Sequence, residues 1–448
     1  MTDRTTEKYF ARHAEPEASL AEKISGGFGH ALIIPAYGER DSLFPLLGSV
    51  PVGPRGPVLI ILVINARADS PTAVHDANAA VRARLEKELP LLQTLSDSPP
   101  ARLYGLAGGS LLAIDRAVPG HFLPEGQGVG LARKIGNDFA LALAAGDRLS
   151  SNWLHNTDAD TLLPRDYFDQ MTGVPEEAAA AIYFFEHRFE EDAGLAEAAR
   201  LYEISLRYYV LGLAWAGSPY AYQSMGSCVA ISSGSYAAVR GFPRKNAAED
   251  FYVLNKLAKV GSIFRLAGSP VLLEGRPSDR VPFGTGRAIR DLVSKKRGLA
   301  NFRLFHPLVF AHLARWLDVL REIARSGGDL TKILGVLPQG SPFFRADLLE
   351  EALRKLGAFE AIREAVTKSH DEATLWRHLH TWFDAFRTLK LIHALRDGGL
   401  PSLPWRESLA EAPFTHLSSF TQDDPEPLRR LIAAEEEKLS REPVGLTS

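Results

Sequence analysis

Residues 31–36 and 58–64 are short, continuous apolar runs, while 42–50 and 73–95 carry apolar positions at helical steps. Continuous aliphatic runs of this length fit strands covered on both faces, and steps of three and four mark a helix with one buried face. Val74, Val81, Leu85, Leu89 and Leu92 follow the helical spacing, and Pro90 predicts a bend or stop near its end. This strand–helix–strand–helix alternation predicts a doubly wound, largely parallel sheet. Residues 111–115, 153–156, 182–185, 228–232, 263–266 and 271–273 continue the strands. Residues 131–145, 193–216 and 249–260 continue the helices, the first and last of them stopped by Gly146 and Gly261.

Beyond about residue 302 the pattern turns helical throughout, in segments 307–325, 345–364, 372–396 and 427–440. In the third of these, Leu375, Leu379, Trp382, Phe386 and Leu389 fall on one face, the pattern of core rather than of a ligand platform. The expected organisation is therefore a polar, partly helical leader over 1–27, a sheet domain over 28–300 and an all-helical domain over 301–448. A chain of 448 residues is long enough for two or three such packing units.

Composition narrows the partners. A formal net charge of -3 gives no general attraction to nucleic acid or to an anionic membrane, so phosphate chemistry must come from a local basic cluster. Cys228 stands alone, which excludes an internal disulfide and fits a reducing compartment. The N-terminal segment lacks the apolar core of a signal peptide, and the apolar stretches 58–64 and 208–216 fall short of the roughly 20 residues that span a bilayer. The expectation is a cytoplasmic protein with no transmembrane segment; self-association into a homo-oligomer is left open.

Four segments carry candidate chemistry. Asp158-Ala159-Asp160 follows the apolar strand 153–156, and carboxylates at i and i+2 of an extended segment project to one side. At the carboxyl end of a parallel strand they face the crevice where ligands of open α/β sheets bind. Such a pair suits a hard divalent cation with positions left for diphosphate oxygens. By itself an Asp-x-Asp is a common string, and Asp160 is equally read as a helix cap. Ile33-Ile34-Pro35-Ala36-Tyr37-Gly38-Glu39 ends the first strand at Pro35 and turns outward, offering a ring to stack on a base and a carboxylate for hydroxyls. Gly126 to Gly136 contains Arg133 and Lys134 at a helix start, a place suited to anions. A dinucleotide fingerprint would need a strand directly before it, and 119–125 reads as loop. Met225-Gly226-Ser227 and Gly241-Phe242-Pro243 lead to Glu249-Asp250 at a helix start, either dipole-favoured acids or a general base.

In this order the segments resemble family 2 nucleotide-sugar glycosyltransferases of the GT-A fold, over residues 29–290. Ile34 to Glu39 resembles the nucleotide-binding loop, Gly130 to Asn137 the basic segment before the metal motif, Asp158-Ala159-Asp160 the metal motif, and Gly241-Phe242 with Glu249-Asp250 the acceptor-side motif. The resemblance implies an α/β fold, a GT-A type doubly wound mixed sheet of Rossmann-like character followed by the helical unit. It implies a metal-dependent, inverting, non-processive transfer of a sugar from a nucleotide-diphosphate donor to an acceptor hydroxyl. Asp158 and Asp160 would hold Mn or Mg. Pro35, Tyr37, Glu39, Asn65, Arg67, Arg133, Lys134 and Asp158 would bind the donor. Asp250 would be the base, with Glu249 its rival. Gly38 stands where the family usually has Asn, and Asn65 where an Asp usually meets the base. The Gln-x-x-Arg-Trp signature of processive synthases is missing.

Residues 278–287, with Arg280 and Arg287, are read as a lid over the donor or a plain connector to the helical unit. His155 and His187 are read as packing groups rather than ligands, and Lys295-Lys296-Arg297 as a solvated face. Two other classes compete. A nucleotidyltransferase would carry a glycine-rich basic loop after the first strand, where this chain has Tyr37-Gly38-Glu39. A non-catalytic nucleotide-sugar-binding or scaffold protein would not need the candidate base Asp250 beside the Asp158/Asp160 pair.

Overall fold

The computed structural model describes residues 4–188, 192–275, 285–294, 302–335, 344–417, 424–440 and 443–445. They divide into two compact units, one of Met1–Glu190, Ser224–Ala288 and Ser440–Pro443, the other of Glu191–Gln223, Ile289–Leu439 and Val444–Ser448.

The first unit is built on strands β1 (His30–Ala36), β2 (Val58–Asn65), β3 (Leu91–Asp97), β4 (Pro100–Leu106), β5 (Gly109–Arg116), β6 (Trp153–Asn156), β7 (Thr161–Leu162), β8 (Ala180–Ile182), β9 (Phe185–Arg188), β10 (Val229–Ser232), β11 (Ile263–Arg265) and β12 (Val271–Glu274). The main sheet runs β11-β8-β10-β6-β1-β2-β5-β4-β3, with a short stretch at Pro443 added at the β11 edge. A second, small sheet runs β7-β12-β9. β1 pairs in parallel with β2 and β6, and β2 with β5, as the aliphatic runs predict. β10 is antiparallel to both β6 and β8, so the sheet is mixed. Every residue of β1 and β2 is buried, which is why those runs are apolar throughout rather than alternating.

The helices are α1 (Arg4–Arg12), α2 (Leu43–Ser49), α3 (Thr72–Glu88), α4 (Val129–Ala145), α5 (Ala193–Trp215, in the second unit), α6 (Ser233–Ala238) and α7 (Glu249–Leu257), followed by α8 (Thr285–Ser294). Two differences from the sequence pattern have simple causes. The apolar residues after Glu88 belong to the hairpin β3–β4 and not to a continued helix, because Pro90 cannot extend the ladder of α3. Leu92, which mimics helical spacing, lies exposed on that hairpin beside Leu91. The stretch 182–185 splits between β8 and β9, which join different sheets.

The second unit packs α5 with α9 (Leu308–Ser326), α10 (Leu330–Gly335), α11 (Ala346–Lys355), α12 (Ala358–Lys368), α13 (Glu372–Trp382), α14 (Ala385–Gly398), α15 (Trp405–Glu411) and α16 (Pro425–Glu437). It also holds a small antiparallel pair, β13 (Arg303–Leu304) and β14 (Leu403–Pro404). Leu201, Ile204, Tyr208 and Leu211 of α5 share one core with Phe310, Leu313 and Trp316 of α9 and Leu428 and Ile432 of α16. α5 therefore joins the helical unit although it lies between sheet strands in sequence. Its charges join too: Arg207 and Arg429 share Glu203, and Arg207 also pairs with Glu436 at 2.6 Å. The expected helices 345–364 and 372–396 each break once. Gly357 takes a left-handed turn between α11 and α12, and Asp384 caps α14 by accepting from the Arg387 amide at 3.2 Å. Among the described residues no helix is long and apolar enough to cross a membrane.

Candidate functional site

Strands β1, β2 and β6 run parallel and end on the same side of the sheet, at Ala36, Asn65 and Asn156. The turn before β10 meets them there, because β10 runs antiparallel to β6 with Val229 opposite Asn156. The carboxyl ends of the parallel strands and the segment Gly226–Cys228 thus frame one edge of the sheet, where open α/β sheets bind ligands.

At the β1 and β2 ends the backbone is tied by two asparagines. Asn65 Nδ2 donates to the carbonyls of Ala36 at 2.9 Å and Val63 at 3.2 Å, and Asn78 of α3 bridges the Asn65 carbonyl and the Gly38 amide, each at 3.0 Å. Gly38 has φ 69°, a left-handed turn that glycine adopts without cost. Tyr37 donates to Ser70 Oγ at 3.2 Å, and Ser70 Oγ also accepts from the Arg67 amide, so Tyr37 and Arg67 are neighbours on a half-buried rim. Arg67 is further held by Asp69 at 2.8 Å. Pro35 is buried within β1, and Glu39 is buried and accepts from Ser42 at 2.7 Å. Of this group, Tyr37 and Arg67 keep partly exposed side chains, while Asn65 and Glu39 are buried within the loop.

The second half of the site centres on Arg133, near the start of α4. Its guanidinium is 2 % exposed and bridges two carboxylates: Nη2 donates to Asp158 Oδ1, and Nε to Glu249 Oε1 at 3.0 Å. Burial opposes its charge, but Asp158, Glu249 and Asp250 outweigh that and hold it protonated. Nη1 is buried without a hydrogen-bond partner. Gly226 makes the bridge possible, since a Cβ there would lie 2.6 Å from Nη2. Asp250 accepts from the Gly226 amide at 2.9 Å and from the Phe251 amide at 2.7 Å. Burial pushes the Glu249 carboxyl up to about 7, aided by Asp250 and opposed by Arg133; burial likewise raises Asp250. Asp158 is 42 % exposed and Asp160 is half-buried two residues on. The turn between them is closed by Thr161, which donates to the Asp158 carbonyl at 3.0 Å. Asp158 and Asp160 are hard oxygen donors, and a cation held by one or two carboxylates plus phosphate oxygens and water suits them. Among the described residues no three His, Cys, Asp or Glu side chains converge to hold a metal ion without such help.

The structure also separates residues that adjoin in sequence. Lys134 points away from Arg133 into a buried network with Tyr9 and Asp138, the latter at 3.0 Å. Of the glycines around the start of α4, Gly130 has its amide committed to the protein, donating to the Lys245 carbonyl at 3.0 Å. His155 is fully buried, its Nδ1 2.9 Å from the Tyr183 hydroxyl, and His187 is buried against Phe185. Residues 276–284, with Arg280, and Lys295-Lys296-Arg297 lie outside the described residues; Arg287 lies in α8.

Sequence reasoning missed the pair Asn137 and Asn156. Both are fully buried and exchange amide hydrogen bonds of 2.7 and 3.1 Å, clamping α4 to the end of β6. Asn137 Nδ2 also donates to the Arg133 carbonyl at 2.8 Å. The available signal was an Asn-Asp dipeptide at 137–138 between the apolar residues Ile135 and Phe139 of the helix.

No protein-family model matches the sequence, and no curated protein matches it significantly. Solved structures do align over most of the chain, at low similarity. S. aureus TarS 1-349 in complex with UDP-GlcNAc is 12% identical with TM-score 0.34, over 92% of this chain and 90% of that one. The mannosyltransferase PcManGT from Pyrobaculum calidifontis, in complex with GDP-Man and Mn2+, is 14% identical with TM-score 0.32, over 86% of this chain and 94% of that one.

Proposed function

We propose that the protein is a glycosyltransferase that moves a sugar from a nucleoside-diphosphate donor to an acceptor hydroxyl. The observation that carries this reading is the Arg133 bridge. One buried guanidinium joins Asp158, at the end of β6, to Glu249, beside Asp250, so that four sequence-distant segments meet at the ligand edge of the sheet. The cluster of three carboxylates and one arginine is matched to a substrate that brings both phosphate and a cation.

In this reading Tyr37 and Arg67 form the rim that receives the nucleoside, a ring to stack and a guanidinium to donate. Asp158 and Asp160 would hold Mn or Mg together with the diphosphate; the ion would neutralise charge that develops on the leaving group. Arg133, held protonated by its carboxylate partners, adds a fixed positive charge beside the diphosphate. Asp250, half-buried and held by two backbone amides, accepts the proton of the acceptor hydroxyl. That oxygen forms the new bond to the anomeric carbon, the bond from this carbon to the diphosphate oxygen breaks, and the nucleoside diphosphate leaves. Displacement from the face opposite the leaving group inverts the anomeric centre. Glu249 stays as the partner of Arg133.

A panel of UDP- and GDP-sugars, screened by thermal shift with and without Mn, tests the reading. Stabilisation by a nucleotide sugar that grows with the metal is expected. No response to any donor with metal would overturn it. Asp250→Asn should abolish transfer and leave donor binding intact, and an active variant would move the base elsewhere.

A further inference from the structure

The first residues of the chain reach both elements that the Arg133 bridge joins. Asp138, one turn beyond Lys134 on α4, is completely buried. It accepts from the hydroxyls of Tyr9 and Tyr236 (the latter at 2.7 Å), from the Glu15 amide at 2.8 Å and from Lys134 Nζ at 3.0 Å. Lys134 also donates to the Tyr9 hydroxyl. Tyr9 sits on α1 and Glu15 just beyond it, so two residues of the N-terminal segment hold the face of α4 adjacent to the one carrying Arg133 and Asn137.

The same segment holds the other element. Glu15 Oε1 accepts from Arg244 Nε at 2.7 Å, and the neighbouring Lys245 carbonyl accepts from the α4 amide of Gly130. Arg244 and Lys245 lie in the stretch that leads, through the left-handed Ala248, to Glu249. Glu15 therefore ties α4 through its amide and the Glu249 approach through its carboxylate. A network of directional hydrogen bonds fixes register in a way that apolar docking does not, and a hydrogen bond such as Arg133–Glu249 loses strength within a few tenths of an ångström.

We propose that residues 4–24 act as a brace, with Tyr9, Glu15 and Arg244 as positioning residues that set the spacing of Arg133 against Glu249. The brace rests on the glycosyltransferase reading for its catalytic consequence, but its geometric consequence is independent of it. The segment is thereby a working part of the first unit.

The test uses the full chain with Tyr9→Phe, which keeps the ring and leaves Asp138 its other partners, and Arg244→Met, at a half-exposed side chain that the fold tolerates. Arg244→Lys is the conservative control. Two readouts are taken. In wild type the Arg133 Nε–H, identified by nitrogen NMR through its loss in Arg133→Lys, should be protected from solvent exchange; in Tyr9→Phe and Arg244→Met its exchange should accelerate about tenfold. With a donor that the wild type turns over, kcat should fall about tenfold while the donor KM stays within about twofold. Arg244→Lys should recover most of both. Unchanged exchange and unchanged kcat in the two variants, whatever happens to Tm, would overturn the brace. If wild type turns over no nucleotide sugar, the glycosyltransferase reading falls, and the exchange measurement alone decides the brace.

Discussion

Glu249 is nearly fully buried beside a second carboxylate, and its carboxyl is pushed from 4.5 up to about 7. Raised above its unfolded value, it contributes stability that is fully present below pH 4.5 and lost as the pH rises through about 7. Integrating between those two values, the loss is about 1 kcal/mol at pH 5.5 and about 3 kcal/mol at pH 8.5. Glu249→Gln keeps a carbonyl oxygen for Arg133 Nε and removes the ionisation. Any repacking cost of the amide is independent of pH and cancels when the two conditions are compared. The variant should therefore gain about 2 kcal/mol relative to wild type between pH 5.5 and pH 8.5, which corresponds to about 4–8 °C in Tm for a unit of this size. Differential scanning calorimetry of both proteins at the two pH values measures it. A gap between variant and wild type that does not change with pH would refute the reasoning, because it would mean that Glu249 ionises in the folded protein much as it does in the unfolded chain.

Three further outcomes are expected. Asn137→Ala and Asn156→Ala should each cost about 1–3 kcal/mol by leaving a buried amide unpaired, and the double variant should cost less than their sum by at least roughly 0.5 kcal/mol; additivity in urea denaturation would dissolve the clamp. Ala248, at φ 59° directly before Glu249, holds a left-handed backbone that costs alanine more than glycine. After allowing for the looser unfolded chain, Ala248→Gly should stabilise by about 0.5–1 kcal/mol, and a loss of stability would show that the site does not store strain there. His30, stacked on Phe168 and beside His155 and Arg55, is lowered by burial to about 4, so its share of stability is present above pH 6.5 and lost as the pH falls toward 4. His30→Phe should narrow the stability difference between pH 7.5 and pH 5 by about 2 kcal/mol, and equal acid sensitivity of both proteins would count against it.

The sheet was legible because its central strands have no polar face. Residues 31–36 and 58–64 could be read as doubly covered strands from apolarity alone, and the structure puts them side by side in parallel. The hairpin β3–β4 was not legible, since Leu89 and Leu92 fall at helical intervals and only Pro90 argues otherwise. The assignment of α5 to the helical unit was equally hidden, because an apolar helical face does not say which neighbour it will cover.

The site divides along the same line. Residue types and spacing determined that Tyr37, Arg67, Arg133, Asp158, Glu249 and Asp250 follow strand ends or open helices, since those positions are set by local pattern. Which side chains meet was decided only by tertiary structure. Arg133 and Lys134 are adjacent and equally basic, yet about 100° of helical rotation sends one to Asp158 and Glu249 and the other to Asp138 and Tyr9. Asn137 and Asn156, nineteen residues apart, pair because α4 packs across the end of β6. Tyr9 and Asp138 lie 129 residues apart and meet inside a core. Local sequence sets which way a side chain leaves its own helix or strand; only the packing of elements against one another determines what it finds there.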